Sequence, residues 1–322
     1  MPLPSPRRFS AGRLFYLLYH RPRTWFEDRR DQAAGRRGEA AMRPAAATLP
    51  PLKLPDRGLA GPPCRFLTGA ALIHQTIFCA RSFEWACGSQ LRLEVFSDGT
   101  LDCTAFAQLR RALPHAILVD PAAVEARLDK SLPMDRFPLL RQMRDSDPRM
   151  RKLLDLHAGL EGPSLYLDSD MLFFSEPRTL RDWLHRSDGE LYMHQNGDAL
   201  VGERTNLART FGFEILEGVN SGIVAVRDEA FDWSGLERTA GRMTAEELRH
   251  PWAEQTLFAC HLSQQGARPL SSTDYAICHG WESLGSCPPS LRHYVNKAKT
   301  RYLAVEWRRW LEHSGITPPR FT

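Results

Sequence analysis

Several familiar signals are missing from the sequence, and each absence removes a class of protein. The seven cysteines form no C-x-x-C pair, so neither a zinc ribbon nor a disulfide framework is expected. Their odd number and largely apolar or helical settings point to reduced thiols in a cytoplasmic protein. The most membrane-like segment, "GRLFYLLYHRPRTW" at residues 12–25, has an apolar core of about six residues, far short of the roughly 20 that a span requires. It also lacks the long hydrophobic region and small-residue cleavage site of a secretory signal. No glycine-rich phosphate loop follows the first candidate strand, "RFLTG".

Charge is unevenly spread. Residues 1–60 carry 12 Lys/Arg against 5 Asp/Glu, while the remaining chain carries 30 against 33, so the basic character belongs to the N-terminal arm. That arm is rich in Pro, Ala and Arg, and "RRDQAAGRRGEAAMRPAAATLPPLKLP" reads as a linker. The arm (1–60) is therefore set apart from a single domain over 61–322. Its apolar stripe at residues 14–19 is read as a helix packed on the domain, with a peripheral seat on an anionic membrane surface as the alternative. No nucleic-acid partner is expected. At 322 residues and 43% hydrophobic content, the chain can bury a full core.

From about residue 61, strands and helices alternate. "RFLTG" reads as a strand, residues 71–87 as a helix, "LRLEVFSDG" as a strand, residues 102–113 as a helix capped by Asp102, and "HAILVD" as a third strand. A helical stretch over 122–160, broken at Pro133, Pro138 and Pro148, then leads to Gly162-Pro163 and another strand. This order predicts an α/β fold with a mostly parallel open sheet flanked by helices. Ligands gather at the carboxyl ends of strands in such sheets, where Thr68-Gly69, Asp98 and Asp120 fall.

The stretch "LYLDSDMLFF" at 165–174 places Asp168 and Asp170 inside an apolar run. It reads as a buried strand covered on both faces. Period-two geometry puts both carboxylates on one side, about 6 to 7 Å apart. Two unpaired buried charges would cost several kcal/mol, on the order of a lost solvation shell, so a cation is expected beside them.

Three motifs, "YLDSDMLFF", "VNSGIVAVR" about fifty residues later, and then "WAEQTLFACHL", carry a resemblance. In this order and spacing they resemble the nucleotide-sugar glycosyltransferases of the GT-A fold, especially family 8 and its bacterial relatives, over roughly residues 63–300. The resemblance implies a Rossmann-like GT-A domain with a C-terminal helical segment. It implies transfer of a sugar from a nucleoside-diphosphate donor, UDP in the first instance, to a saccharide or other hydroxyl acceptor, with retention of configuration. Asp168 and Asp170 match the motif that holds Mn2+ (or Mg2+), with Ser169 between them against the donor. Asn220, Ser221 and Gly222 match the second motif, and Glu254 with Gln255 the third, facing sugar and acceptor. The family commonly has Asp-Gln-Asp where this chain has Ala253-Glu254-Gln255-Thr256. The family's C-terminal histidine ligand is placed at His293 in "RHYVNKAK", with His279 as the alternative. Lys297, and Lys299 after it, would reach the diphosphate; Arg151 or Lys152 would grip the donor; Thr68, Gly69 and Asp98 would hold the nucleoside.

Other readings stand beside this one. "VNSGIVAV" is also compatible with a core strand carrying a glycine bulge, and Glu254-Gln255 with the polar first turn of an amphipathic helix. A nucleotidyltransferase would show the missing phosphate loop. In a haloacid-dehalogenase phosphatase the Asp-x-Asp ends the first strand, whereas here two or three strands precede it. An inactive relative that keeps the fold for binding is the remaining alternative.

Overall fold

The computed structural model describes residues 21–55, 61–280 and 289–317. The apolar stripe at 14–19 and Cys287 lie outside them. A seven-stranded sheet runs in the order β3-β2-β1-β4-β7-β6-β8. Its strands are β1 (Cys64–Thr68), β2 (Leu93–Ser97), β3 (Ile117–Leu118), β4 (Pro163–Leu167), β6 (Leu191–His194), β7 (Val219–Arg227) and β8 (Arg268–Pro269). β1 pairs in parallel with both β2 and β4, β2 with β3 and β6 with β8, while β7 runs antiparallel to β4 and β6. The sheet is thus mostly parallel, as the strand–helix alternation predicts.

Both faces are covered. Leu165, Leu167, Ile223 and Ala225 join one hydrophobic cluster, whereas Tyr166, Val224 and Val226 join the other. This is the period-two consequence of a strand buried on two sides. α2 (Ile73–Cys87) supplies Ile77, Phe78 and Phe83 to the first cluster. α4 (Pro121–Ser131), α5 (Pro138–Ser146) and α6 (Met150–His157) supply Leu128, Leu140 and Leu153 to the second. Asp102 caps α3 (Cys103–Ala112), accepting from the Ala105 N–H at 2.8 Å. Asp120, expected at the sheet edge, caps α4 through the Ala122 N–H at 3.0 Å.

Two expectations are corrected. The run "LYLDSDMLFF" is not one strand: β4 ends at Leu167, the chain bends through Asp168-Ser169-Asp170, and β5 (Met171–Phe173) enters a separate three-stranded sheet. In that sheet, β10 (Leu291–Tyr294) pairs antiparallel with β5 and parallel with β9 (Tyr275–Cys278). The apolar flanks are real, but they belong to two strands in two layers. Nor is the segment read as a linker extended. Residues Arg21–Thr48 form one helix, α1, with Met42, Ala45 and Ala46 buried in the first cluster. Small residues, not a large apolar stripe, make its contact face, which is why composition resembled a linker. No helix among the described residues is long and apolar enough to cross a membrane.

Candidate active site

The chain reverses its direction of winding between β1 and β4, because β2 and β3 build outward on one side of β1 while β4 starts the other. A crevice opens at the carboxyl ends of strands at such a reversal. Thr68, the last residue of β1, and Asp168, the first after β4, flank it. The antiparallel strand β7 begins at the same edge, with the Asp168 N–H donating to the Gly222 carbonyl at 2.8 Å.

The cleft has two lobes that share Lys152, Asp168, Asp170 and Lys299. One, of about 310 Å³, is lined by Thr68, Gly69, Leu72, Gln75, Asp98 and Arg149. The other, of about 220 Å³, is lined by Asn220, Ser221, Gly222, Trp252, Glu254, Gln255 and His293. The bend at 168–170 turns both aspartates toward the junction. There Asp168, Asp170 and His293 offer ligand atoms that all lie within 4.8 Å of one another. His293 Nε2 is 3.1 Å from Asp170 and 3.8 Å from Asp168, and the ring's Nδ1 is buried with no hydrogen-bond partner among the described residues. His279 lies exposed just beyond β9. Space is tight: a Cβ added at Gly222 would come within 2.6 Å of the His293 ring.

Lysines stand on both sides. Lys152 Nζ, buried, lies 3.1 Å from Asp168, 3.6 Å from Glu254 and 3.2 Å from the Ser221 hydroxyl. Burial would lower its pKa, but Asp168 and Glu254 outweigh that and raise it, so it stays a cation. Lys299 Nζ is 2.8 Å from Asp170. Asp170 is desolvated, which disfavours its charge, yet His293 and Lys299 hold its carboxyl well below the usual range. Glu254 differs. Burial pushes it up to about 7, with Lys152 opposing and Asp168 reinforcing the shift. Its Oε2 accepts from the Ser221 hydroxyl at 3.1 Å, while its Oε1 has no hydrogen-bond partner among the described residues. Gln255 holds the strand and a loop together, accepting from the Ser221 N–H at 3.1 Å and donating to the Ala199 carbonyl at 2.7 Å. Asn220 accepts from the Gly222 N–H at 2.9 Å and donates to Gln195 at 2.8 Å.

The other lobe is equally specific. The Thr76 hydroxyl donates to Thr68 at 2.7 Å and lies 2.8 Å from the Ser169 hydroxyl, fixing the floor. Gly69 faces Asp98 so closely that a Cβ would come within 2.5 Å of the carboxyl carbon, so only glycine leaves that carboxylate in place. Asp98 Oδ1 accepts from the Thr100 N–H and hydroxyl at 2.9 and 2.6 Å.

Two expected residues fall elsewhere. Lys297 points away from the cleft and pairs with Asp28 of α1 at 2.8 Å; Lys299 occupies the place expected of it. Residues two apart on a helical turn face different ways. Arg151 lies outside both lobes, 3.6 Å from Asp155 and beside Gly99, because its neighbour Lys152 takes the inward face of α6. Arg149 lines the first lobe instead. Tyr166 was missed: its hydroxyl donates to Asp168 at 2.5 Å. Its position two residues before Asp168, near the end of β4, was a readable signal. Gln195 and Trp252 were also missed. Trp252, 45% exposed at the mouth of the second lobe, sits immediately before the helix Ala253–Gln264, here α7.

No protein-family model and no curated protein matches the sequence. Several solved structures resemble the chain distantly. The galactosyltransferase LgtC in complex with donor and acceptor sugar analogues is 16% identical, with 80% of this chain and 97% of that one covered at a TM-score of 0.49. Mouse xyloside xylosyltransferase 1 is 14% identical, with 72% and 96% covered at 0.42. Core-mannan synthase A from Aspergillus fumigatus, in its Mn/GDP form, is 10% identical, with 83% and 92% covered at 0.45. These likenesses are distant, and the functional reading rests on the side chains of the cleft.

Proposed function

We propose that this chain is a metal-dependent glycosyltransferase of the GT-A type that moves a sugar from a nucleoside-diphosphate donor to a saccharide or other hydroxyl acceptor. The observation that carries the reading is the meeting of Asp168, Asp170 and His293 at the junction of two lobes, flanked by Lys152 and Lys299. The order and spacing of the three sequence motifs support it independently.

The donor set fits a hard divalent cation: carboxylate oxygens and one imidazole nitrogen, with room left for water and phosphate oxygens. Bound there, Mn2+ or Mg2+ supplies a positive charge against the negative charge that develops on the leaving diphosphate. Lys152 and Lys299 add to that stabilisation from the protein side. Thr68, Gly69 and Asp98 form the nucleoside end of the first lobe, with Ser169 on its floor. Asn220, Ser221, Gly222, Glu254 and Gln255 shape the second, where sugar and acceptor meet. Glu254 Oε1, which has Lys152 at 3.6 Å but no hydrogen-bond partner among the described residues, is the acceptor atom that this lobe offers a hydroxyl. UDP as the nucleotide and retention of configuration follow from the family 8 resemblance.

The test is titration of the purified chain with UDP-sugars and Mn2+, reading binding and release of free UDP. Asp168→Ala and Asp170→Ala should each abolish Mn2+-dependent nucleotide binding while the unfolding transition persists. His293→Ala should weaken Mn2+ affinity at least ~10-fold and His279→Ala should leave it unchanged. Retention of parental UDP–Mn2+ affinity by both aspartate variants would rule out the metal site; loss on His279→Ala alone would reassign the third ligand.

A further inference from the structure

The N-terminal helix α1 touches both walls of the cleft. On one side, Arg43 donates to the Ala71 carbonyl at 3.1 Å, in the loop that joins Thr68-Gly69 to α2 and carries Leu72 into the first lobe. Glu39 steadies this arginine at 2.6 Å and lies 3.5 Å from His74 of α2. On the other side, α1 presses its glycines against the segment that follows β10. A Cβ added at Gly35 would lie 2.9 Å from the Thr300 methyl group. At Gly38 it would fall on the Leu303 carbonyl oxygen and 2.6 Å from the Ala304 Cα, both backbone atoms of a π-helical turn, Tyr302–Glu306.

That turn reaches the metal-site residues through one buried side chain. Glu306 accepts from Arg292 at 2.8 Å and from the Tyr294 hydroxyl at 3.0 Å, the two neighbours of His293 on β10. It also accepts from Arg301 at 2.8 Å, at the end of the helical turn Ala298–Arg301 that bears Lys299. Gly38 is thus linked to His293 and Lys299 by backbone contact and a closed set of charge-assisted hydrogen bonds, which hold geometry more tightly than neutral ones.

We infer that α1 is a positioning element of the cleft: Gly38 seats the wall that carries His293 and Lys299, Arg43 ties down the wall that begins at Thr68, and the helix fixes the gap a nucleoside diphosphate must span. The nucleotide consequence rests on the glycosyltransferase reading; the mechanical consequence does not.

Hydrogen exchange on the full chain separates them. Arg43→Met should speed amide exchange at residues 69–76 without lowering the melting temperature, and Arg43→Lys, which keeps a donor, should restore protection. Gly38→Ala should speed exchange at 291–301. In the same proteins, Arg43→Met should weaken UDP–Mn2+ binding about three- to tenfold, the worth of one hydrogen bond, while affinity for Mn2+ alone stays at the parental value. Gly38→Ala should weaken both. Unchanged exchange at 69–76 in Arg43→Met and at 291–301 in Gly38→Ala overturns the inference. Exchange that responds as expected in a parent that fails to bind UDP–Mn2+ keeps the brace and removes the donor assignment.

Discussion

Two buried ionic clusters sit at opposite ends of the same strands, and they are built on opposite terms. At the amino ends of β1 and β4, Arg65 bonds Glu94 at 3.1 Å and Asp228 at 2.7 Å, and Asp228 accepts from His157 at 2.7 Å and from Ser164 at 2.9 Å. Both Asp228 oxygens are engaged, and His157 and Arg65 outweigh burial to hold its carboxyl below the usual range. At the carboxyl ends, three acids, Asp168, Asp170 and Glu254, face two lysines. Glu254 Oε1 has no hydrogen-bond partner among the described residues, only Lys152 at 3.6 Å, and burial pushes Glu254 up to about 7. The first cluster satisfies both Asp228 oxygens, leaves only His157 Nε2 without a hydrogen-bond partner among its described members, and holds elements together. The second is incomplete and opens into a cleft. Incompleteness at a buried site is tolerated where a ligand completes it, which is why perturbed acids mark functional sites better than buried charge does.

The sharpest break in this contrast comes from the first cluster. Arg65→Met leaves Asp228 and Glu94 buried beside an apolar side chain and should lower unfolding free energy by about 3 to 5 kcal/mol, as denaturant titration would measure, without changing the metal residues. A smaller effect is expected from Glu254→Gln in metal-free protein. The raised carboxyl contributes stability that is complete below its ordinary value near 4.5 and is lost as pH rises through about 7. The parent should therefore lose up to about 3 kcal/mol between acid and mildly alkaline pH on this account. The glutamine variant should lack that loss, so its advantage grows with pH; parallel stability curves would contradict the assignment. The smallest expected effect separates two lysines. Lys299→Ala should weaken UDP–Mn2+ binding about tenfold, in the range of a charge-assisted hydrogen bond, whereas Lys297→Ala, which loses only an exposed pair with Asp28, should leave the affinity within twofold on the scale of surface pairs.

Much of this architecture was legible because it is local. Asp102 announces a helix by capping chemistry, Pro133, Pro138 and Pro148 divide the helical stretch, and alternation along β4 and β7 assigns both faces; Asp120, read as a strand-end residue, caps a helix instead. Tyr166 could have been read with Asp168 by the same alternation. Other features depend on partners far away in sequence. The contact face of α1 combines Met42, Ala45 and Ala46 with Gly35 and Gly38, and the two glycines signal flexibility until a second backbone is placed against them. Gln195 reaches Asn220 only because β6 lies beside β7. The division of "LYLDSDMLFF" between two sheets was invisible to periodicity, since both halves are equally apolar.

That division has a thermodynamic consequence. Asp168 follows β4 of the large sheet, while Asp170 immediately precedes β5 and His293 lies on β10, the central strand of the small one, so an ion shared among them would tie the two sheets together at the bend. Folding and ion occupancy would then be linked quantities. An ion at a hundred times its dissociation constant would add about 2.7 kcal/mol to the stability of the native state.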